Sequence, residues 1–166
     1  MKDDKILYTI KDNVCLIKLT GMVQCSTISG FDSFVKMISK DKSIQDVIID
    51  LCNLEYIDST NLGLIAEIAR FMVKEHNRKP AIVTTNAKIT DLIENMGFNK
   101  IFIIIKGLEI SGGEMREVPD IQQDEEEKAK MILEAHKAIM EISEKNKSLF
   151  KDVVELLEDQ LDTPEE

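Results

Sequence analysis

Short apolar runs rich in β-branched residues alternate with longer segments of helical periodicity, and that alternation restricts this chain to a sheet crossed by helices. Ile6–Ile10 and Val14–Leu19 are β-rich runs separated by Lys11-Asp12-Asn13, which has the composition of a tight turn and predicts an antiparallel hairpin. Ile28, Phe31, Phe34 or Val35, and Ile38 recur at three- and four-residue steps, predicting a first helix. Val47–Leu51, Ala81–Thr85 and Ile101–Ile105 are nearly continuous apolar runs, as expected of strands covered on both faces. Between them Leu62–Val73 and Ile89–Met96 read as helices. Strand, helix, strand, helix, strand with connections of a few residues is the pattern of parallel strands joined by crossover helices. The expected fold class is α/β: a mixed sheet, hairpin first and then parallel strands, covered by helices. Leu62–Val73 carries apolar residues on more than one side, so it is expected either to be buried twice or to lend a surface to a partner.

Charge divides the chain. Residues 1–106 hold 14 basic and 13 acidic residues, and residues 107–166 hold 7 and 18, so the first part carries +1 and the second −11 of the net −10. The expected organisation is a domain over 1–106, a connector over 107–123 marked by Gly107, Gly112, Gly113 and Pro119, an acidic helical extension over 124–161, and a tail over 162–166. The acidic part argues against nucleic acid or an anionic membrane surface as a partner. With 166 residues and 43% hydrophobic content, a real core is expected.

In the extension, Asp120 or Asp124 can cap a helix whose first turn carries Glu125-Glu126-Glu127. Ile132, Ala135, Ile139, Ile142, Asn146, Leu149, Val153, Leu156 and Gln160 then form a heptad seam with two polar positions. A second apolar row, Met131, Leu133, Met140, Phe150, Val154, Leu157 and Leu161, lies off that seam. Two arrangements follow: one long helix that drives dimerisation or recruits a protein, or a hairpin broken at Asn146-Lys147-Ser148, with Ser148 as the second cap, that packs on itself or against the first domain.

Ile57-Asp58-Ser59-Thr60-Asn61-Leu62-Gly63-Leu64 opens the helix Leu62–Val73 and places hydroxyls at its start. Side-chain oxygens there cap free N–H groups, and the partly positive helix end accommodates added negative charge. These residues, read with the strand pair ending in Lys18-Leu19-Thr20-Gly21 and the strand Val47-Ile48-Ile49-Asp50-Leu51, resemble the STAS domain of anti-sigma factor antagonists over roughly residues 5–105. The resemblance implies a regulatory binding protein. Its unphosphorylated form captures an anti-sigma factor serine kinase and frees a sigma factor, phosphorylation at Ser59 (or Thr60) ends the capture, and a serine phosphatase reverses it. Asp58, Ser59, Thr60, Asn61, Leu62 and Gly63 are the implied partner-binding residues, with Asp58 near phosphotransfer. Asn61 stands where the family usually has glycine, and Gly21-Met22-Val23-Gln24 replaces an acidic turn; a side chain at 61 is expected to obstruct a kinase or alter which kinase fits. The alternatives are a STAS scaffold never modified at Ser59 and a small enzyme or nucleotide-binding module.

Cys15, Cys25 and Cys52 lie among apolar neighbours without a Cys-x-x-Cys pair and are expected to be reduced core residues. His76 and His136, far apart and without acidic or Cys neighbours at ligand spacing, are expected at the surface, so no metal or cofactor is foreseen. No phosphate-binding Gly loop and no nucleophile elbow occurs, so no catalysis is expected. Without a signal peptide or an apolar run of about 18 residues, a cytoplasmic location is expected.

Overall fold

Asp12 and Asn13 both adopt left-handed backbone, φ 53° and 67°, which two-residue turns between twisted antiparallel strands demand. They join β1 (Lys5–Lys11) to β2 (Val14–Val23), with Lys11 paired to Val14. The computed structural model describes residues 3–162. From the hairpin the chain passes through α1 (Ile28–Lys40), β3 (Asp46–Asp50), β4 (Leu54–Ile57), α2 (Ser59–His76), β5 (Ala81–Thr84), α3 (Ala87–Asn95), β6 (Ile103–Lys106), β7 (Arg116–Glu117), α4 (Glu125–Met140) and α5 (Glu144–Asp162).

The sheet runs β6-β5-β3-β2-β1-β7, parallel from β6 to β2 and antiparallel from β2 through β1 to β7. Two strands lie outside the elements expected from sequence. β7 consists of two residues within the connector, pairing Leu7 and Tyr8 of β1. β4 pairs with the end of β2 after a register shift at Gly21 and Met22. Gly21 has φ +69°, and a Cβ there would overlap the Asp4 carboxylate, so glycine is required where β2 bends. This bend lets one strand pair β3 along its first half and β4 along its second, which carries the chain to the start of α2.

The core joins Ile17, Leu19, Val47, Ile49 and Ile82 of the sheet to Phe31, Phe34 and Ile38 of α1 and Leu64, Ile65 and Ile68 of α2. The extension contributes to the same core through Met131, Ala135, Ala138 and Ile139. α2 packs against α1 and α4, and α4 packs against α5. The apolar surface of α2 that exceeded one side thus has its cover within the same chain.

The extension is not one long helix. The chain breaks at Glu141–Ser143, earlier than Asn146-Lys147-Ser148, and Ser143 rather than Ser148 caps α5, its Oγ accepting from the Asn146 N–H at 3.1 Å. Asp124, rather than Asp120, caps α4 by accepting from Glu127 N–H at 2.7 Å. The seam divides at the break. Ala135 and Ile139 are buried and Ile132 and Ile142 half-buried, whereas Leu149, Val153 and Leu156 are 57%, 42% and 60% exposed. In α5 the second row turns inward, with Val154 buried and Phe150, Leu157 and Leu161 half-buried. Residues 163–166 of the expected tail lie outside the described residues.

Cys15 is fully buried, and burial pushes its thiol up to about 12; burial, with Asp50 beside it, pushes Cys52 up to about 11. Cys25 departs from the expected core location: it lies exposed in the 3-10 turn between β2 and α1.

Candidate functional site

The turn from β4 to α2 is built around Asp58. Its backbone is extended, φ −84° and ψ 169°, so its carboxylate folds back to accept from the Asn61 N–H at 2.9 Å and caps the helix. Its own N–H donates to the Val23 carbonyl at 3.2 Å, which ties the cap to the end of β2. Asn61 is fully buried. Its Nδ2 donates to Asp58 Oδ1 at 2.9 Å and to the Gln24 carbonyl at 3.1 Å, and its Oδ1 accepts from Thr27 Oγ1 at 3.4 Å. The side chain expected to obstruct an incoming kinase instead points inward and braces two loops.

Ser59 is the first residue of α2 and half-buried. Its Oγ lies 2.9 Å from His136 Nε2 on α4, and His136 Nδ1 lies 2.8 Å from the Ile132 carbonyl oxygen. A carbonyl only accepts, so in the neutral ring Nδ1 carries the proton and Nε2 is left as the acceptor for the Ser59 hydroxyl. His136 is 4% exposed and packs its ring on Phe150 at 5.6 Å. This overturns its expected surface position. The sequence did hold a signal for it: Ile132, Ala135, His136 and Ile139 follow the spacing of a single helical stripe, so an inward face includes the imidazole.

Of the other predicted site residues, Thr60 is 8% exposed, Leu62 2%, and Gly63 is buried. A Cβ on Gly63 would overlap the Ala135 carbonyl oxygen and stand 2.5 Å from its carbon, so α2 and α4 touch backbone to backbone there. Chemically, Ser59 and His136 have the separation of a nucleophile and its base. Nothing is free to enter between Oγ and Nε2, and the ring is covered, so in this arrangement the pair acts as a latch between helices. Among the described residues no cluster of His, Cys, Asp or Glu is arranged to hold a metal ion, and no helix is long and apolar enough to cross a membrane.

Beside this latch a cleft lined by Asp32, Lys36, Glu67, Gln123 and Glu134 runs between α1, α2 and α4. Burial pushes the Glu67 carboxyl up to about 7; Arg70 opposes the rise, and Asp32 and Glu134 add to it. The folded chain therefore holds this proton more tightly than the unfolded chain, and the stability it contributes is full below the ordinary carboxylate range and fades as pH rises through about 7. Glu67→Gln is expected to stabilise the protein by about 2 kcal/mol at pH 8 and to change little at pH 4, measured by urea unfolding at both values. The 3.7 Å pair with the exposed Arg70 that it removes is worth under about 1 kcal/mol.

Comparison with known proteins places this geometry. Three solved structures align with TM-scores of 0.51 to 0.54. An anti-sigma factor antagonist from Mycobacterium paratuberculosis shares 19% identity (TM-score 0.54) over 65% of this chain and 88% of its own. The Bacillus cell fate determinant SpoIIAA in its phosphorylated form shares 13% (TM-score 0.51) over 62% and 90%. A putative anti-sigma factor antagonist from Thermotoga maritima shares 22% (TM-score 0.53) over 61% and 85%. At these identities the likeness shows the fold. No curated protein matches the sequence. The STAS domain profile matches residues 5–110, well over half of the chain, with β4, the Asp58 cap and the start of α2 inside the matched span, and on that match the chain belongs to the STAS domain family.

Proposed function

We propose that this protein is an anti-sigma factor antagonist, a regulatory binding protein rather than an enzyme. Its unphosphorylated form binds an anti-sigma serine kinase and so releases a sigma factor. Phosphorylation at Ser59 ends that binding, and a serine phosphatase restores it. The observation that carries the reading is the position of Ser59 as the first residue of α2 in a STAS fold, directly after a capping aspartate. A phosphate there meets the unpaired N–H groups and positive end of the helix, yet adds a charge of roughly −1.5 to −2 next to Asp58. A helix start accommodates such a group once the Ser59 hydroxyl is released from His136, whereas an apolar or acidic partner surface does not. A homodimer through the C-terminal helices would use Leu149, Val153 and Leu156, the part of the seam that α5 leaves exposed.

The test is affinity capture from the native cell with wild type and Ser59→Asp in parallel, followed by mass spectrometry. The expected result is a serine kinase of the anti-sigma type held by wild type and lost from Ser59→Asp. The second reading is a STAS scaffold never modified at Ser59, and the engagement of the Ser59 hydroxyl by buried His136 favours it. Identical partners on both baits, with no phosphate found on Ser59, would establish that reading instead.

A further inference from the structure

We infer that α4 is a displaceable cap seated on the partner-facing surface of α2, so that the Ser59 site has a closed state, the one described here, and an open state in which α4 has left. The use of the open state by a kinase rests on the function proposed above; the cap itself rests on geometry.

Three observations carry it. First, α4 occupies the surface that a Ser59-reading partner needs: His136 holds the Ser59 hydroxyl at 2.9 Å, and Ala135 lies against Gly63. Phosphotransfer requires Oγ to approach the terminal phosphorus of a nucleoside triphosphate, form the O–P bond, and lose its proton as the nucleoside diphosphate departs. With the imidazole in hydrogen-bonding contact with that oxygen and α4 on top of it, the approach is blocked.

Second, the seat is incompletely filled. Alanines face alanines: Ala66 and Ala69 of α2 and Ala138 of α4, with Val73, Ile101 and Ile142, line an apolar cleft of about 280 Å³. At this end of the contact, small side chains beside an open cleft make fewer dispersion contacts than large ones would, and the large side chains that α4 adds to the core are Met131 and Ile139. The cross-helix ion pair Arg70–Glu141, at 3.2 Å, is exposed and contributes little.

Third, the cap is tethered by chain that permits its departure. Residues 107–123 lie between β6 and α4, and of these the Arg116–Glu117 pair and Val118 are bonded to β1. β7 stays on the sheet while α4 moves. The cap therefore competes with an external partner at high effective concentration, and any partner that wins must offer more than α4 does.

The test uses the full chain and the accessibility of position 59. In a Cys25→Ser, Cys52→Ser, Ser59→Cys background the buried Cys15 is inert, so the alkylation rate with N-ethylmaleimide reports thiol 59. Adding Ala135→Leu, which overpacks a fully buried position against α2, is expected to raise that rate at least about tenfold, and His136→Ala is expected to raise it by less. Hydrogen exchange of β2 and β3 serves as the control for an intact fold; should Ala135→Leu lose that protection, Ala138→Glu takes its place. Alkylation of the parent as fast as that of a chain retaining only exposed Cys25 would overturn the cap. So would a slow rate that persists when exchange shows α4 released. In cells Ala135→Leu made alone, with Ser59 kept, is expected to accumulate phosphate on Ser59 faster than wild type. Gated alkylation with no phosphate in either chain would leave the cap standing and bring down the kinase switch.

Discussion

Replacing Gly63 by valine is expected to dislodge the C-terminal helices without dissolving the sheet. On an isolated helix the change would be mildly favourable, since glycine costs about 1 kcal/mol relative to alanine and β-branched valine costs less than that. Here the added Cβ meets the carbonyl carbon and oxygen of Ala135, backbone atoms that cannot turn aside. Overpacking of this kind costs about 2–3 kcal/mol. The strain has two outlets, movement of α2 within the core or movement of α4 away from it. α2 contributes Leu64, Ile65 and Ile68 to the core, each fully buried, and packs against α1 as well, whereas α4 adds only Met131 and Ile139 beside the alanines and apolar cleft of its contact with α2. Hydrogen exchange should therefore show loss of protection over 125–162 with protection retained in β2, β3 and β5. A uniform loss across both would mean that the extension and the domain unfold as one unit.

Asn146→Ala is expected to destabilise the protein by about 2–3 kcal/mol, because it removes a buried amide that donates to two backbone carbonyls and leaves a cavity in its place. Asn146 is fully buried, and its Nδ2 donates to the Met96 carbonyl at 2.9 Å and to the Ile139 carbonyl at 3.0 Å. One side chain of α5 thus ties the end of α3 to the end of α4. The Oδ1 has no partner among the described residues. Asn146→Asp would replace the donor with an acceptor and should cost more, since a buried carboxylate would then face two carbonyl oxygens. Urea unfolding followed by circular dichroism distinguishes the two, and equal midpoints for both variants and wild type would show that the bracket contributes nothing.

Asn146 also shows why the seam could be read from sequence but not interpreted. As the polar member of a heptad row, it is the feature that sets register between paired helices. Its role here depends on Met96, fifty residues earlier, and a periodicity argument contains no information about which backbone carbonyl lies within reach. The same limit applies to the seam itself. Ile132 to Ile142 turn toward the domain, and Leu149, Val153 and Leu156 face outward, because the chain breaks at 141–143 and the second helix rotates. The break has a cap, Ser143, but a serine followed three residues later by asparagine lacks the Glu or Gln of a capping box and is a weak signal.

The alternation of apolar runs and helical stripes was sufficient for the sheet, its hairpin and its crossovers, because strand and helix periods are local properties and parallel strands leave few topologies open. Local too was the start of α2, where a capping aspartate and the following hydroxyls announce a helix end whatever surrounds them. The short strands β4 and β7 escaped, since four and two residues carry almost no periodicity and form only because β2 and β1 have edges to pair. His136 escaped for a different reason. No acidic residue, Cys or second His stands three or four residues from it, which made it unremarkable, and only the packing of α4 on Gly63 brings it, seventy-seven residues away, to the Ser59 hydroxyl. The sequence determined that this protein has a STAS domain with a hydroxyl at the head of its second helix and an acidic helical extension behind it. The tertiary structure alone decided that the extension lies over that hydroxyl, because that outcome depends on whether two helix surfaces fit, and fit is a property of neither segment by itself.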